Sequence, residues 1–244
     1  MESFRSTAAY YAALSDTPER LEREGALLEE VLGQCPGKCV ADLACGTGLH
    51  AEYLAGLGAD VSAFDLSPDM IAFARTHHDH ARVTYAVGDM RAPAGGPWDL
   101  VLCLGNSMSL LANVGEVERM FAAISRRLTP GGCFLFQVLN YDAETAREAQ
   151  HRVVRRTVDG AKIVAIKSLV PDGDRTLLSL SFYAGRETVS ESAVLLHLSR
   201  NILNEAAEKV GLDRFETFGS FDRQPYNEQT STDIVGLAFR KRGE

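Results

Sequence analysis

Long apolar runs are missing from this sequence. Nothing approaches the roughly 18 apolar residues of a membrane-spanning helix, and the opening residues MESFRSTAAYY hold no apolar core of signal-peptide length. A cytoplasmic protein with no membrane partner is the expectation. Positive charge is also short: 25 Lys and Arg stand against 33 Asp and Glu, a net charge of −8. That balance disfavours attraction to phosphate backbones, so no nucleic-acid partner is expected. The basic runs at 152–156 and 240–242 are brief and read as solvated strand faces. Cysteine is sparse and odd in number. Cys35 and Cys39 have no second pair at a zinc-ligand spacing, which argues against a metal site. Cys39, Cys103 and Cys133 fall in apolar runs and read as small buried hydrophobes. His77, His78 and His80 surround Asp79 at the polar end of a helical pattern, where a solvated terminus is expected.

Helix and strand signals alternate through the first 142 residues. Thr17-Pro18-Glu19 reads as an N-cap followed by proline in the first turn, and Leu21, Leu28, Val31 and Leu32 trace one helical face. Ser67-Pro68-Asp69 repeats that start signal, and Gly58 suits a left-handed helix end. Strands are expected over 38–43, 61–66, 83–87, 99–104 and 133–139, with a helix over 115–128 and a turn at Thr129-Pro130-Gly131-Gly132. This rhythm predicts an α/β, doubly wound Rossmann-like parallel sheet. From 143 the pattern changes. Strand-like stretches at 153–158, 162–170, 176–183 and 189–198 are joined by Asp159-Gly160, 171–174 and Gly185-Arg186, which predicts an antiparallel meander. Ser199 then caps a helix ending at Gly211, and strands near 214–218 and 233–239 complete a seven-stranded sheet. The expected organisation is a core of 1–142 and 199–244, with a helical cap over 1–36 and a substrate-covering insertion over 143–198 placed after the fifth strand.

The turn in VADLACGTGLHA, residues 40–51, offers unpaired backbone N–H groups to a ligand. Gly46-x-Gly48-x-x-Ala51 formally fits the dinucleotide fingerprint, and an empty tight turn fits it nearly as well. Three strand ends add chemistry. Asp65 closes the second strand, where a carboxylate accepts from ribose hydroxyls. Gly88-Asp89-Met90 closes the third, an acid and a thioether suited to adenine. Leu104-Gly105-Asn106 closes the fourth, facing the reactive centre of a ligand laid across the sheet.

These residues together resemble the class I S-adenosylmethionine-dependent methyltransferases, over essentially the whole chain. Asp42-x-Ala44-x-Gly46-x-Gly48 is similar to the family's first motif, with Ala44 where a glycine is usual. Leu128-Thr-Pro-Gly-Gly132 is similar to its turn before strand five. The resemblance implies S-adenosylmethionine as cofactor, S-adenosylhomocysteine as product, and Tyr10, Asp42, Ala44, Gly46, Gly48, Asp65, Leu66, Met70, Asp89, Met90 and Leu104 around it. Ala9-Tyr10-Tyr11-Ala12-Ala13-Leu14, Asp89-Met90-Arg91 and Val138-Leu139-Asn140-Tyr141-Asp142 are similar to glycine and sarcosine N-methyltransferases, with Leu139 in place of an arginine.

The expected reaction is methyl transfer to a small-molecule acceptor, an amine nitrogen by preference, through in-line displacement without metal. Tyr11, Asn140 and His197 are the candidate catalytic residues, His197 as a general base. Tyr11, Asn106, Asn140, Tyr141, Arg223 and Tyr226 are the candidate substrate contacts, and Arg20 or Arg23 the partner of the cofactor carboxylate. The meander doubles as a possible homodimer surface. Two rivals share the glycine turn. An NAD-dependent oxidoreductase leaves Asp42 and Asp89-Met90 without a role; a non-catalytic S-adenosylmethionine-binding module binds but transfers nothing.

Overall fold

A computed structural model describes residues 7–158 and 160–242. Asp159 of the expected Asp159-Gly160 turn and the start of the 1–36 cap lie outside the described residues.

Helices α1 (Thr7–Ser15) and α2 (Pro18–Gln34) precede strand β1 (Cys39–Leu43). There follow α3 (Leu49–Gly56), β2 (Asp60–Asp65), α4 (Pro68–His77), β3 (Val83–Val87), β4 (Trp98–Cys103), α5 (Val114–Ser125) and β5 (Leu128–Leu139). Three expected caps hold: the hydroxyls of Thr17, Ser67 and Ser199 accept from the N–H of Arg20, Met70 and Ile202. After β5 come β6 (Gln150–Val158), β7 (Ala161–Asp172), β8 (Arg175–Ala184) and β9 (Glu187–Leu196), then α6 (Arg200–Lys209), β10 (Leu212–Phe218) and β11 (Asp233–Arg240). The main sheet has the order β10-β11-β5-β4-β1-β2-β3. Strands β5, β4, β1, β2 and β3 run parallel, and β11 runs antiparallel between β5 and β10. Alternating side chains divide the core into two layers. Val40, Leu100 and Leu102 face α2, α3 and α4, while Leu43, Val101, Phe134 and Phe136 face α5 and α6.

The 129–132 turn is absorbed into β5. Trp98 pairs with Leu128, and pairing resumes only at Leu100 and Cys133, so the intervening residues bulge from the ladder with Gly131 at φ +81°. The helix before it accordingly ends at Ser125 rather than near 128.

β6 to β9 form a second, purely antiparallel sheet. Its inward face closes on α1 through a third, separate cluster of Tyr10, Ile163, Ala165, Leu180 and Phe182. Leu196 and Leu198 belong instead to the main core. Among the described residues no helix is long and apolar enough to cross a membrane.

Candidate active site

β1 and β4 are neighbours although β2 and β3 come between them in sequence, a switch point that in sheets of this kind places the ligand site outside the carboxyl ends of the strands. The glycine turn leaves β1 in an unusual path. Ala44 holds φ +55°, costing an L-residue about 1–2 kcal/mol, which explains why glycine suits this position. Gly46 also has a positive φ, and a Cβ built on it meets nothing within 4 Å: its face of the turn is open. Gly48 differs. A Cβ there would lie 2.6 Å from the Tyr85 hydroxyl and 3.0 Å from Ala74, so helix–strand packing alone requires this glycine.

Asp65 fastens the turn. Its Oδ2 accepts from the Gly46 N–H and its Oδ1 from the Ser67 N–H, both at 2.9 Å. A carboxylate has about four acceptor positions, so capacity remains on both oxygens. Leu66, just past the strand, is 70% exposed, and Val87 beside it is exposed too. Two large apolar side chains at one strand edge make a ready face for a planar ring. Met70 and Met90 are half-buried nearby on α4 and after β3. Leu104 is buried in the α2-side core, where packing consumes its surface. Asp89 is gripped by the guanidinium of Arg91, which also bonds Glu116 at 2.9 Å; that cation holds the Asp89 carboxyl below its usual range.

Asp42 lies one residue before the end of β1 and is buried, and its Oδ2 has no hydrogen-bond partner. Burial pushes its pKa up to about 6, with the charges of His50 and Arg20 opposing and that of Asp65 reinforcing. A buried carboxylate oxygen without a donor is costly unless a ligand supplies one. Next to it lies a network that the sequence reading missed. Glu24, 2% exposed, bonds Arg20 at 3.2 Å, Arg23, and His50 Nε2 at 2.7 Å. Glu24 stands three residues after Leu21 and four before Leu28, and His50 four before Leu54, so both interrupt apolar faces in the sequence itself. Arg20 reaches over Gly105 at the end of β4, whereas Arg23 points to solvent. Arg20 is therefore the arginine at the cleft.

The two tyrosines of α1 part company. Tyr10 is fully buried, stacked 5.3 Å from Phe182 with its hydroxyl on Glu187, so it docks α1 on the second sheet and does not line the cofactor cleft. Tyr11, about 100° further round the helix, lies where Glu191 and Asp65 both act on it, and burial first, then those charges, push its phenol up to about 12. Asp16, which follows α1, accepts from Thr47 Oγ1 at 2.7 Å and meets His78 Nε2 at 3.2 Å; His78 Nδ1 in turn meets Glu52 at 2.6 Å. His78 is thus a clamp holding the α1–α2 corner on the turn, not a solvated helix end, while His77 stays exposed and His80 is half-buried. Cys39, expected inside, is also exposed.

Beyond β5 the structure redistributes the candidate roles. Asn140 is buried with every amide atom engaged: Nδ2 donates to the carbonyls of Glu228 and Ser231, and Oδ1 accepts from Tyr226 and Asp142 N–H. It fastens the 219–232 loop and has no atom left for catalysis. Tyr226 serves the same lock, its phenol pushed up to about 12 by burial. Asn106 is equally occupied, accepting from Leu139 N–H and Ser109 and donating to the Tyr141 hydroxyl at 2.9 Å; it positions Tyr141 rather than a substrate. Tyr141 stacks on His197 with ring centroids 4.4 Å apart. His197 Nε2 is bonded to the buried Thr176 hydroxyl at 2.9 Å, and burial lowers its pKa, so it is neutral with that nitrogen occupied. Arg223 leaves the site altogether, paired with Glu30 on the outside of α2 and lying over Phe218.

Residues 40–132 match a family model described as a methyltransferase domain. A ubiquinone biosynthesis O-methyltransferase of Xanthomonas axonopodis pv. citri is 36% identical over 128 residues, 50% of this chain and 50% of that protein. One from Thiobacillus denitrificans is 37% identical over 114 residues, 45% and 47% of the two chains. The chain thus spans about half the length of the curated relatives it matches. In fold, it resembles an S-adenosylmethionine-dependent methyltransferase from Clostridium acetobutylicum, with TM-score 0.81 at 18% identity, covering 98% of this chain and 100% of the other. It also resembles a sugar N-methyltransferase from Streptoalloteichus, with TM-score 0.77 at 21% identity, covering 97% and 93%. Residues 40–132 thus match a methyltransferase domain, and the whole chain shares its fold with S-adenosylmethionine-dependent methyltransferases of known structure.

Proposed function

We propose that the chain transfers a methyl group from S-adenosylmethionine to an amine nitrogen of a small molecule held between the main sheet and the covering sheet. The residues fit the cofactor. Asp65 has acceptor capacity for ribose hydroxyls, Leu66 and Met90 offer apolar surface to the adenine with Asp89 at its edge, and Gly46 leaves room for the backbone approach. The unpartnered Asp42 Oδ2 suits an ammonium and Arg20 a carboxylate, the two charges of an amino-acid moiety. When bound, the cofactor supplies a sulfonium methyl that is already electrophilic.

The chain's own task is then to orient and desolvate, and positioning is worth roughly 7–11 kcal/mol. The observation that carries the nitrogen assignment is the company of Tyr11. Its hydroxyl, protonated at neutral pH, lies within electrostatic reach of Glu191 and Asp65, acids that attract a basic acceptor. His197, the one imidazole beside Tyr141, has its Nε2 committed to Thr176, and a hydroxyl acceptor needs more help from a base than an amine does. The acceptor nitrogen forms the new N–C bond as the C–S bond breaks, and the methylated product releases its proton to water. The test is methyl transfer from labelled S-adenosylmethionine to a panel of amines, alcohols and thiols. Amines should be methylated; transfer confined to hydroxyls would reverse the choice in favour of the O-methyltransferase relatives. NAD binding without S-adenosylhomocysteine binding would overturn the whole reading.

Asp42 makes cofactor affinity depend on pH. Its folded pKa, about 6, lies above the unfolded carboxyl value near 3.9, so the folded chain holds that proton more tightly and loses stability as pH rises between the two. A bound ammonium reverses the preference by favouring the carboxylate. S-adenosylhomocysteine affinity should therefore rise with pH up to about 6–7, by as much as about tenfold per unit below 6. Asp42→Asn should flatten that profile in calorimetric titrations from pH 5 to 7.5. A flat wild-type profile would remove Asp42 from the cofactor site.

A further inference from the structure

The second sheet carries a charge pattern that cofactor binding does not use. Arg152 of β6 stands directly opposite Lys167 of β7, Lys167 opposite Leu180 of β8, and Leu180 opposite Glu191 of β9. Side chains two residues apart on a strand share a face. This row therefore points the same way as its neighbour Val154, Ala165, Phe182 and Val189, which meets α1. This row thus has two cations at one end and an acid at the other, on a face that also carries Arg156 and Glu187.

Like charges placed directly opposite across a ladder repel, and a sheet normally avoids them or pairs each with an acid. Neither happens here. The covering sheet's ion pair joins Arg175 to Asp174, and among the described residues neither Arg152 nor Lys167 has a carboxylate partner. Lys167 is exposed on the sheet surface. Desolvation by its neighbours, and next the charge of Arg152, lower its pKa, while Asp233 at the start of β11 acts on it in the opposite sense. Asp233 pairs with Leu139 at the carboxyl end of β5, so the charge felt by Lys167 comes from the main sheet. At the other end of the row Glu191 acts on Tyr11. Lys167 and Glu191 are two strand spacings apart, about 10 Å, the length of a small bifunctional molecule.

We propose that the acceptor carries an anionic group, a carboxylate or a phosphate, which Arg152 and Lys167 hold while its nucleophile lies toward Tyr11 and Glu191. The inference rests on the methyltransferase reading and adds the substrate class to it. An arginine fork beside a lysine point charge suits either anion. A bound anion also relieves the repulsion between the two cations. The charged and apolar residues of the row then order the acceptor end to end.

The test uses the full chain loaded with S-adenosylhomocysteine, whose own binding is measured first. Failure at that step refutes the methyltransferase reading and this inference with it. Acetate and inorganic phosphate are then titrated separately by NMR, which distinguishes the two anions. At least one should bind, and Arg152→Gln with Lys167→Gln should weaken it by about tenfold or more, as loss of two charge-assisted contacts requires. S-adenosylhomocysteine affinity should be unchanged, and Glu191→Gln should not weaken the anion. Turnover gives a second readout: O-phosphoethanolamine against ethanolamine, and β-alanine against propylamine, with the anionic member of at least one pair preferred and that preference lost in the double variant. No detectable binding of either anion, or binding indifferent to both substitutions, overturns the proposal.

Discussion

Asp65→Ala should lower affinity for S-adenosylhomocysteine by about 100-fold, the loss of roughly 2.7 kcal/mol expected when hydrogen bonds to a charged acceptor disappear. Two effects combine. The ribose hydroxyls lose their acceptor, and the Gly46 and Ser67 N–H groups lose theirs, so the glycine turn and the α4 start both loosen. Stability should fall with affinity, by about 1–3 kcal/mol for each N–H left unpaired, or several degrees in Tm for a chain of this size. Asp65→Asn separates the contributions. Its one carbonyl can serve one of the two N–H groups, so Tm should recover in part, whereas affinity should stay well below wild type because the charge is gone. Calorimetric titration beside thermal unfolding reads both. Wild-type affinity in Asp65→Ala would mean that the carboxylate only braces the turn.

Helix starts and both sheets were legible because the sequence signals them locally. A serine or threonine followed by proline marks Thr17 and Ser67 as helix starts, and alternating apolar runs with turn residues between them reveal both sheets. What stayed hidden depends on distant partners. Asn140 resembles a substrate contact in sequence, but its amide is consumed by Glu228, Ser231 and Tyr226, more than 80 residues away. Tyr10 and Tyr11 are adjacent in sequence and both pack on Phe182, yet only Tyr10 is fully buried. His78 looks solvated until Asp16 and Glu52 close on it from other elements. Arg152 and Lys167 lie in separate strands, so their opposition exists only once the ladder register is set. Glu24 is the exception: its place on an apolar helix face was visible in the sequence, as an acid that had to find partners.

Replacing residues 151–194 by a short glycine–serine link should abolish methyl transfer, by about a thousandfold or more, while S-adenosylhomocysteine affinity falls less than about tenfold. The separation follows from how the cores divide. The cluster of Tyr10, Ile163, Ala165, Leu180 and Phe182 is distinct from the two layers flanking the main sheet, and Leu196 and Leu198, which belong to the main core, are retained. Asp42, Gly46, Asp65 and Leu66 sit on the main sheet and keep their supports. What disappears is the far wall of the acceptor site, with Arg152, Lys167, Thr176 and Glu191. α1 is also undocked, since nine residues are too few to hold a helix alone in water. A thousandfold loss is about 4 kcal/mol, well within the share that positioning contributes to such a displacement. Phe182→Ala distinguishes the two losses. It opens a cavity costing about 3–5 kcal/mol in the third cluster and loosens α1, yet leaves the charged row in place. If Phe182→Ala retains measurable turnover where the excision has none, the sheet surface itself holds the acceptor; equal loss in both assigns the effect to the docking of α1 and Tyr11. Turnover within tenfold of wild type after excision would remove the second sheet from the acceptor site.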